Sequence, residues 1–283
     1  MLNKVLSYLR LRKAPPVVGV VSLTGVIGAA GGPLHRGRLS LADLAPSLER
    51  TFKLPHLSAV ALTINSPGGS PVQSALIHAR IRQLAGETGV QVYAFTEDIA
   101  ASGGYWLACA ADKIFADSSS IIGSIGVVYQ GFGFQDLITR YGVERRVHTM
   151  GTRKAMLDPF QQEKTEDVER LQAIQADVHE AFKDLVRRSR GDRLKGSAEE
   201  LFSGDIWTGS QALKLGLIDG IGDMRSVMRE RFGDEVRLVP VRQGKGWLRH
   251  RLRLGAQRDD SGLWADGALA AIEERLMWSR FGL

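Results

Sequence analysis

Residues 58–70 read SAVALTINSPGGS, and this stretch decides the fold. Ser58 to Asn65 is an apolar, β-branched run of strand type that ends at a Pro-Gly-Gly turn, after which a helical pattern runs from Val72 to Ala85. The same strand-then-helix order recurs on both sides. Upstream, VVGVVSLTG at 17–25 precedes a helix predicted over Leu41–Phe52. Downstream, VQVYAFTE at 90–97 precedes one predicted from Gly103 to Ala111. Short apolar pieces follow at Lys113–Ala116 and Ile121–Val128, then a short helix near Gln135–Tyr141, a strand at Glu144–Thr149, a long amphipathic helix from about Gln161 to Arg190, and a last strand, VRLVPV. Such alternation predicts an α/β fold, a largely parallel sheet covered by helices.

Composition agrees with a globular protein: of 283 residues, 44% are hydrophobic and 24% charged. The lone Cys109 forms no internal disulfide and reads as a small buried apolar residue. The net charge of +6 is concentrated at the ends, where residues 1–13 and 242–258 carry Lys and Arg without any acid. The middle is nearly balanced, which argues against a nucleic-acid partner. No run reaches the roughly 18 apolar residues that would span a bilayer. Val17–Gly32 imitates a signal peptide behind the basic segment, but its β-branched residues read as a first strand that cleavage would remove from the fold. The predicted organisation is a basic segment 1–16, a domain over 17–243, and a basic linker with a C-terminal helix over 244–283.

Two turns at predicted strand ends carry the candidate chemistry, because α/β proteins place ligands there. In Asn65-Ser-Pro-Gly-Gly-Ser70, Pro67 fixes φ while Gly68 and Gly69 permit positive φ and leave backbone N–H groups bare for a carbonyl or oxyanion. The same residues also suit a plain strand-to-helix connection. In Ala100-Ala-Ser-Gly-Gly-Tyr-Trp106, Ser102 is either a nucleophile with adjacent N–H donors or simply a helix N-cap. The six histidines offer no evident motif for a base. A lysine serves as base where burial disfavours its charge. Lys154, in the loop Gly151-Thr-Arg-Lys-Ala-Met-Leu-Asp-Pro-Phe160, is the candidate; by itself it also fits a solvated surface lysine.

Taken together, these segments resemble the signal peptide peptidase A family, including its half-length members, from about Val18 to Val241. Ala101–Tyr105 matches the family's A-S-G-G-Y motif, and Gly151–Lys154 followed by Pro159-Phe160 matches its lysine segment. Ile122-Gly-Ser-Ile-Gly-Val127 resembles a third motif, Asn65–Gly69 a fourth, and Ser203-Gly-Asp-Ile-Trp-Thr-Gly209 a structural signature. The resemblance implies a crotonase-like (Clp protease-like) fold and a serine endopeptidase without metal or cofactor. It assigns Ser102 as nucleophile, Lys154 as base, Ser124 as the residue orienting that lysine, and the N–H groups of Gly69 and Gly103 as oxyanion donors. It further implies short or unfolded peptide substrates such as signal-peptide remnants, and a homo-oligomeric ring whose sites are completed across subunits.

Two rivals remain: a crotonase-like acyl-CoA hydratase or isomerase, and a catalytically silent peptide-binding scaffold. Neither explains why Ser102, Ser124 and Lys154 occur together. The basic ends mix cations with leucines and Trp247, so they are candidates for peripheral contact with the inner face of a membrane from a cytoplasmic position, or else solvated tails.

Overall fold

The structure, a computed structural model, describes residues 14–28, 38–241 and 275–283. The basic segments 1–13 and 242–258, and most of the helix expected near the C-terminus, lie outside the described residues.

The chain builds strands and helices in the order β1 Val17–Thr24, α1 Leu41–Phe52, β2 Leu57–Ser66, α2 Pro71–Thr88, β3 Gln91–Ala101, α3 Gly103–Ala108, β4 Lys113–Ala116, β5 Ile121–Gly123, α4 Gln135–Arg140, α5 Thr165–Arg190, α6 Ala198–Leu201, β6 Ile206–Thr208, α7 Gly209–Lys214, β7 Gly220–Ile221, α8 Met224–Phe232 and β8 Arg237–Pro240. One eight-stranded sheet runs β6-β5-β3-β2-β1-β8, with β4 paired to β3 and β7. Every pairing is parallel except β5 with β6. The expected α/β architecture with a mostly parallel sheet is therefore present.

Both sheet faces are covered, which is why β1 and β2 read as apolar runs rather than as alternating strands. Val21, Leu23, Val60, Leu62 and Ile64 point into the larger core with Leu44 and Leu48 of α1 and Ile77 and Ile81 of α2. Val18, Val20, Ala59, Ala61 and Tyr93 face the other way, onto Met228 of α8. Helix starts follow local chemistry. The Ser40 hydroxyl accepts the Asp43 N–H ahead of α1, and that of Ser70 accepts the Gln73 N–H ahead of α2, with Pro71 in its first turn. Gly89 closes α2 at φ 67°.

Several boundaries differ from expectation. Helix α2 extends three residues past Ala85 because its stop signal is Gly89, and α3 ends at Ala108 rather than Ala111. The strand expected at Glu144–Thr149 does not form. Its residues are exposed, and no described strand pairs with them.

A buried charge cluster ties the far end of α5 to the sheet behind α3. The Asp219 carboxylate, 7% exposed, accepts from Arg190 Nη1 at 2.7 Å, Arg193 Nη1 at 3.0 Å and the Ile114 N–H at 2.8 Å. Arg190 Nε donates to the Gly216 carbonyl, and the Tyr105 hydroxyl of α3 donates to that of Leu217. Burial acting alone would raise the Asp219 carboxyl, but the hydrogen bonds from Arg190 and the Ile114 amide outweigh it and hold it down at about 2. A depressed folded value stabilises the fold above the ordinary value of 3.8 and loses that contribution as pH falls toward 2. Urea unfolding should therefore show about 2 kcal/mol of stability disappearing between pH 4 and pH 2, and Asp219→Asn should lose that part of the acid limb. An unaltered limb in the variant would contradict this role.

Candidate active site

The C-terminal ends of β2, β3 and β5 converge, and the turns that leave them form the site. β3 delivers Ser102, the residue before α3, at φ 51° and ψ −120°. For a residue with a Cβ this is a strained conformation, and such strain concentrates at functional sites. Two backbone bonds hold it: the Ser102 N–H donates to the Gly123 carbonyl at 2.8 Å, and its carbonyl accepts from the Trp106 N–H at 3.0 Å. Its hydroxyl makes no capping bond. Ser102 thus stands at the N-cap position of α3 without capping it through its side chain, and it lines a cavity.

The glycines around it are required by close approach. A methyl group on Gly104 would lie 2.4 Å from the Ser66 carbonyl oxygen, and one on Gly103 would lie 2.5 Å from the Ser74 hydroxyl. The Pro-Gly-Gly loop packs directly on the serine turn, since a methyl on Gly68 would come 2.8 Å from Ser102 Cβ and 2.9 Å from the Gly103 nitrogen. Gly69 forms a parallel bridge with Ile27, in which the Ile27 N–H donates to the Gly68 carbonyl and the Ser70 N–H to the Ile27 carbonyl. In that pattern the N–H of Gly69 itself points to the opposite side. The Gly69 nitrogen lies 3.3 Å from where a Gly103 Cβ would stand. The backbones of Gly69 and Gly103 are thus packed against each other beside Ser102.

β5 supplies Ser124, also at positive φ, 52°. Its N–H donates to the Asp205 carbonyl at 2.7 Å, and Trp207 packs so tightly beneath Gly123 that a methyl there would lie 2.6 Å from the indole. The Ser203–Gly209 signature is therefore the wall that fixes Ser124. Ser102, Ser124 and Gly69 line one cavity of about 660 Å³ together with Pro67, Val127 and His179.

Lys154 is not in that cavity. It is exposed, in a turn where its N–H donates to the Gly151 carbonyl. Among the described residues of one chain, the lysine does not stand beside Ser102. Conversely, His179 of α5 borders the cavity, its Nε2 lying 3.1 Å from the Ile125 carbonyl. It belongs to no motif, and one histidine on a long amphipathic helix gives no local signal of its place. Among the described residues no cluster of His, Cys, Asp or Glu has the arrangement of a metal site.

The strained serine and the glycine loop set against it lie at the strand ends of a mostly parallel α/β sheet, where such folds place their sites. The family model described as peptidase family S49 matches residues 85–234, more than half of the chain, and the chain belongs to that family. Its relatives extend the match. A Synechocystis sp. protein named as a protease is 33% identical over 83% of this chain and 84% of its own length. The chloroplastic serine protease SPPA of Arabidopsis thaliana is 31% identical over 73% of this chain and 31% of its length. A Brucella abortus protein named Na(+)/H(+) antiporter NhaA is 49% identical over 97% of this chain, which spans only 38% of that protein. Among the described residues no helix is long and apolar enough to cross a membrane. The likeness to signal peptide peptidase A read from the five motifs holds.

Proposed function

We propose that this chain is a serine endopeptidase acting through a Ser/Lys pair, with Ser102 as nucleophile and Lys154 of a neighbouring copy as base. The neutral amine accepts the Ser102 proton as Oγ attacks a peptide carbonyl, and the N–H groups of Gly69 and Gly103 take up the charge that develops on the carbonyl oxygen. The lysine returns the proton to the departing amine, and water then hydrolyses the acyl-enzyme by the same route in reverse. Ser124 orients the incoming lysine in this reading. The substrates are short or unfolded peptide segments, which suit a cavity open at the strand ends.

The observation that carries this reading is the strained, uncapped Ser102 against the outward N–H of Gly69. Support for a base from another subunit comes from the segment bearing Lys154, which exposes Tyr129, Phe132, Tyr141 and Met150. Such apolar surface marks an association site. A fluorophosphonate probe should label this protein at Ser102 and nowhere else, as read by mass spectrometry of the digested adduct. Labelling of another serine, or of none, removes the nucleophile assignment.

A further inference from the structure

Neither hydrophobic core includes any residue of 127–164, the segment that carries Lys154. A small polar and aromatic cluster joins the two halves of that segment. The Asp158 side chain is 4% exposed, and Arg145 Nη2 lies 2.9 Å from its Oδ2. Asp158 Oδ1 accepts the Phe160 N–H at 3.1 Å. The Arg145 guanidinium covers the Phe160 ring, its Cζ 4.7 Å from the ring centroid, and that ring packs on Phe134 with centroids 5.5 Å apart. The Phe134 N–H donates to the Pro159 carbonyl at 2.6 Å, which ties the cluster to the start of α4.

Arg145 and Asp158 are thus the two ends of a loop, 146–157, that holds Lys154 near its exit. Inside it the Lys154 N–H donates to the Gly151 carbonyl and the Met156 N–H to that of Arg153, both local bonds. A loop with such bonds takes its direction from its ends, and holding those ends together is opposed by chain entropy. At the exit Leu157 stands at φ 55°, a conformation that an L-residue keeps only where its surroundings hold it. A buried ion pair adds little stability over an apolar pair of the same size, whereas loss of one partner strands a buried charge.

We propose that Arg145 is a positioning residue for the Lys154 base: paired with Asp158 and stacked on Phe160, it closes the loop and aims the lysine at the Ser102 cavity of a neighbouring copy. This rests on the reading of Lys154 as base and adds the device that presents it. Arg145 acts through the loop and not on the reacting atoms. Opening the clasp shifts the lysine by about 1 Å, and a displacement of that size costs about a hundredfold in rate.

The test is a cycle on the full chain: wild type and Lys154→Ala, each with and without R145M and D158N together. Methionine keeps a long side chain over Phe160, and asparagine leaves no unpaired charge buried. The readout is the rate at which a fluorophosphonate labels Ser102, followed by mass spectrometry. The double change should slow labelling about a hundredfold on the wild-type background, and less than about twofold on Lys154→Ala, where no base is left to misplace. R145K keeps a cation over Phe160 without the planar fork and should label within about tenfold of wild type. Equal slowing on both backgrounds makes the cluster a general support of the fold and overturns the proposal, as does wild-type labelling by the R145M/D158N protein. If that protein melts far below wild type, R145K carries the same cycle, and slowing on the wild-type background alone again supports the proposal. Lys154→Ala protein that labels at the wild-type rate removes the base reading instead, and the proposal falls with it.

Discussion

Replacing Ser102 by glycine is expected to abolish peptide hydrolysis and, in the same protein, to raise the melting temperature. The two effects have one origin, the backbone at φ 51° and ψ −120°. An L-residue held in such a region costs on the order of 1–3 kcal/mol, and glycine occupies it without a Cβ clash. Glycine loses about 0.5–1 kcal/mol of that gain through its greater freedom in the unfolded chain. The remainder, about 1 kcal/mol, corresponds to a rise of a few degrees in a chain of this size. Loss of the nucleophile should lower kcat/KM by at least about 10⁴-fold, because the groups of such a site act as one unit. Ser102→Ala should lose activity equally without gaining stability, since alanine keeps the Cβ. Calorimetry and a fluorogenic peptide assay on the three proteins check both halves. A Ser102→Gly protein that melted below wild type would show the turn to be unstrained, and one that kept turnover would move the nucleophile elsewhere.

What the sequence made legible follows from where the constraint is local. The parallel strands were readable because a strand covered on both faces needs an unbroken apolar run, as β1 and β2 show. The serine turn was readable because Gly103 and Gly104 are dictated by contacts under 3 Å with Ser66 and Ser74, so their pairing after a serine carries information. Ser124 was reached only through its family motif, as its position depends on Asp205 and Trp207, far along the chain. His179 left no trace, because it meets the site through tertiary approach rather than through a local pattern. The false strand at Glu144–Thr149 shows the opposite error. Its β-type residues are exposed, Val147 at 38%, and β-propensity without a partner strand does not make a ladder.

The position of Lys154 leads to the second large effect. Lys154→Ala should reduce hydrolysis about as far as Ser102→Ala does, although the lysine is exposed and absent from the serine's cavity in one chain. These two statements agree only if another copy brings its lysine to the site, and in closed assemblies a head-to-tail contact repeats that donation around a ring. Packing of the exposed aromatic residues of this segment against the neighbour would bury the amine, which is the condition for a lysine to accept a proton. Mixing then separates the alternatives. When Ser102→Ala and Lys154→Ala proteins are combined in equal amounts and allowed to exchange subunits, about one site in four receives an intact serine and an intact neighbouring lysine. Activity should return to about a quarter of wild type from two inactive proteins, with a time course set by exchange. Each parent alone should remain silent at every concentration. Sedimentation should show wild type as an oligomer, with turnover per chain falling on dilution as the oligomer dissociates. A mixture that stays inactive after demonstrated exchange, or a fully active monomer, would place both groups of the pair in one chain and refute the shared site.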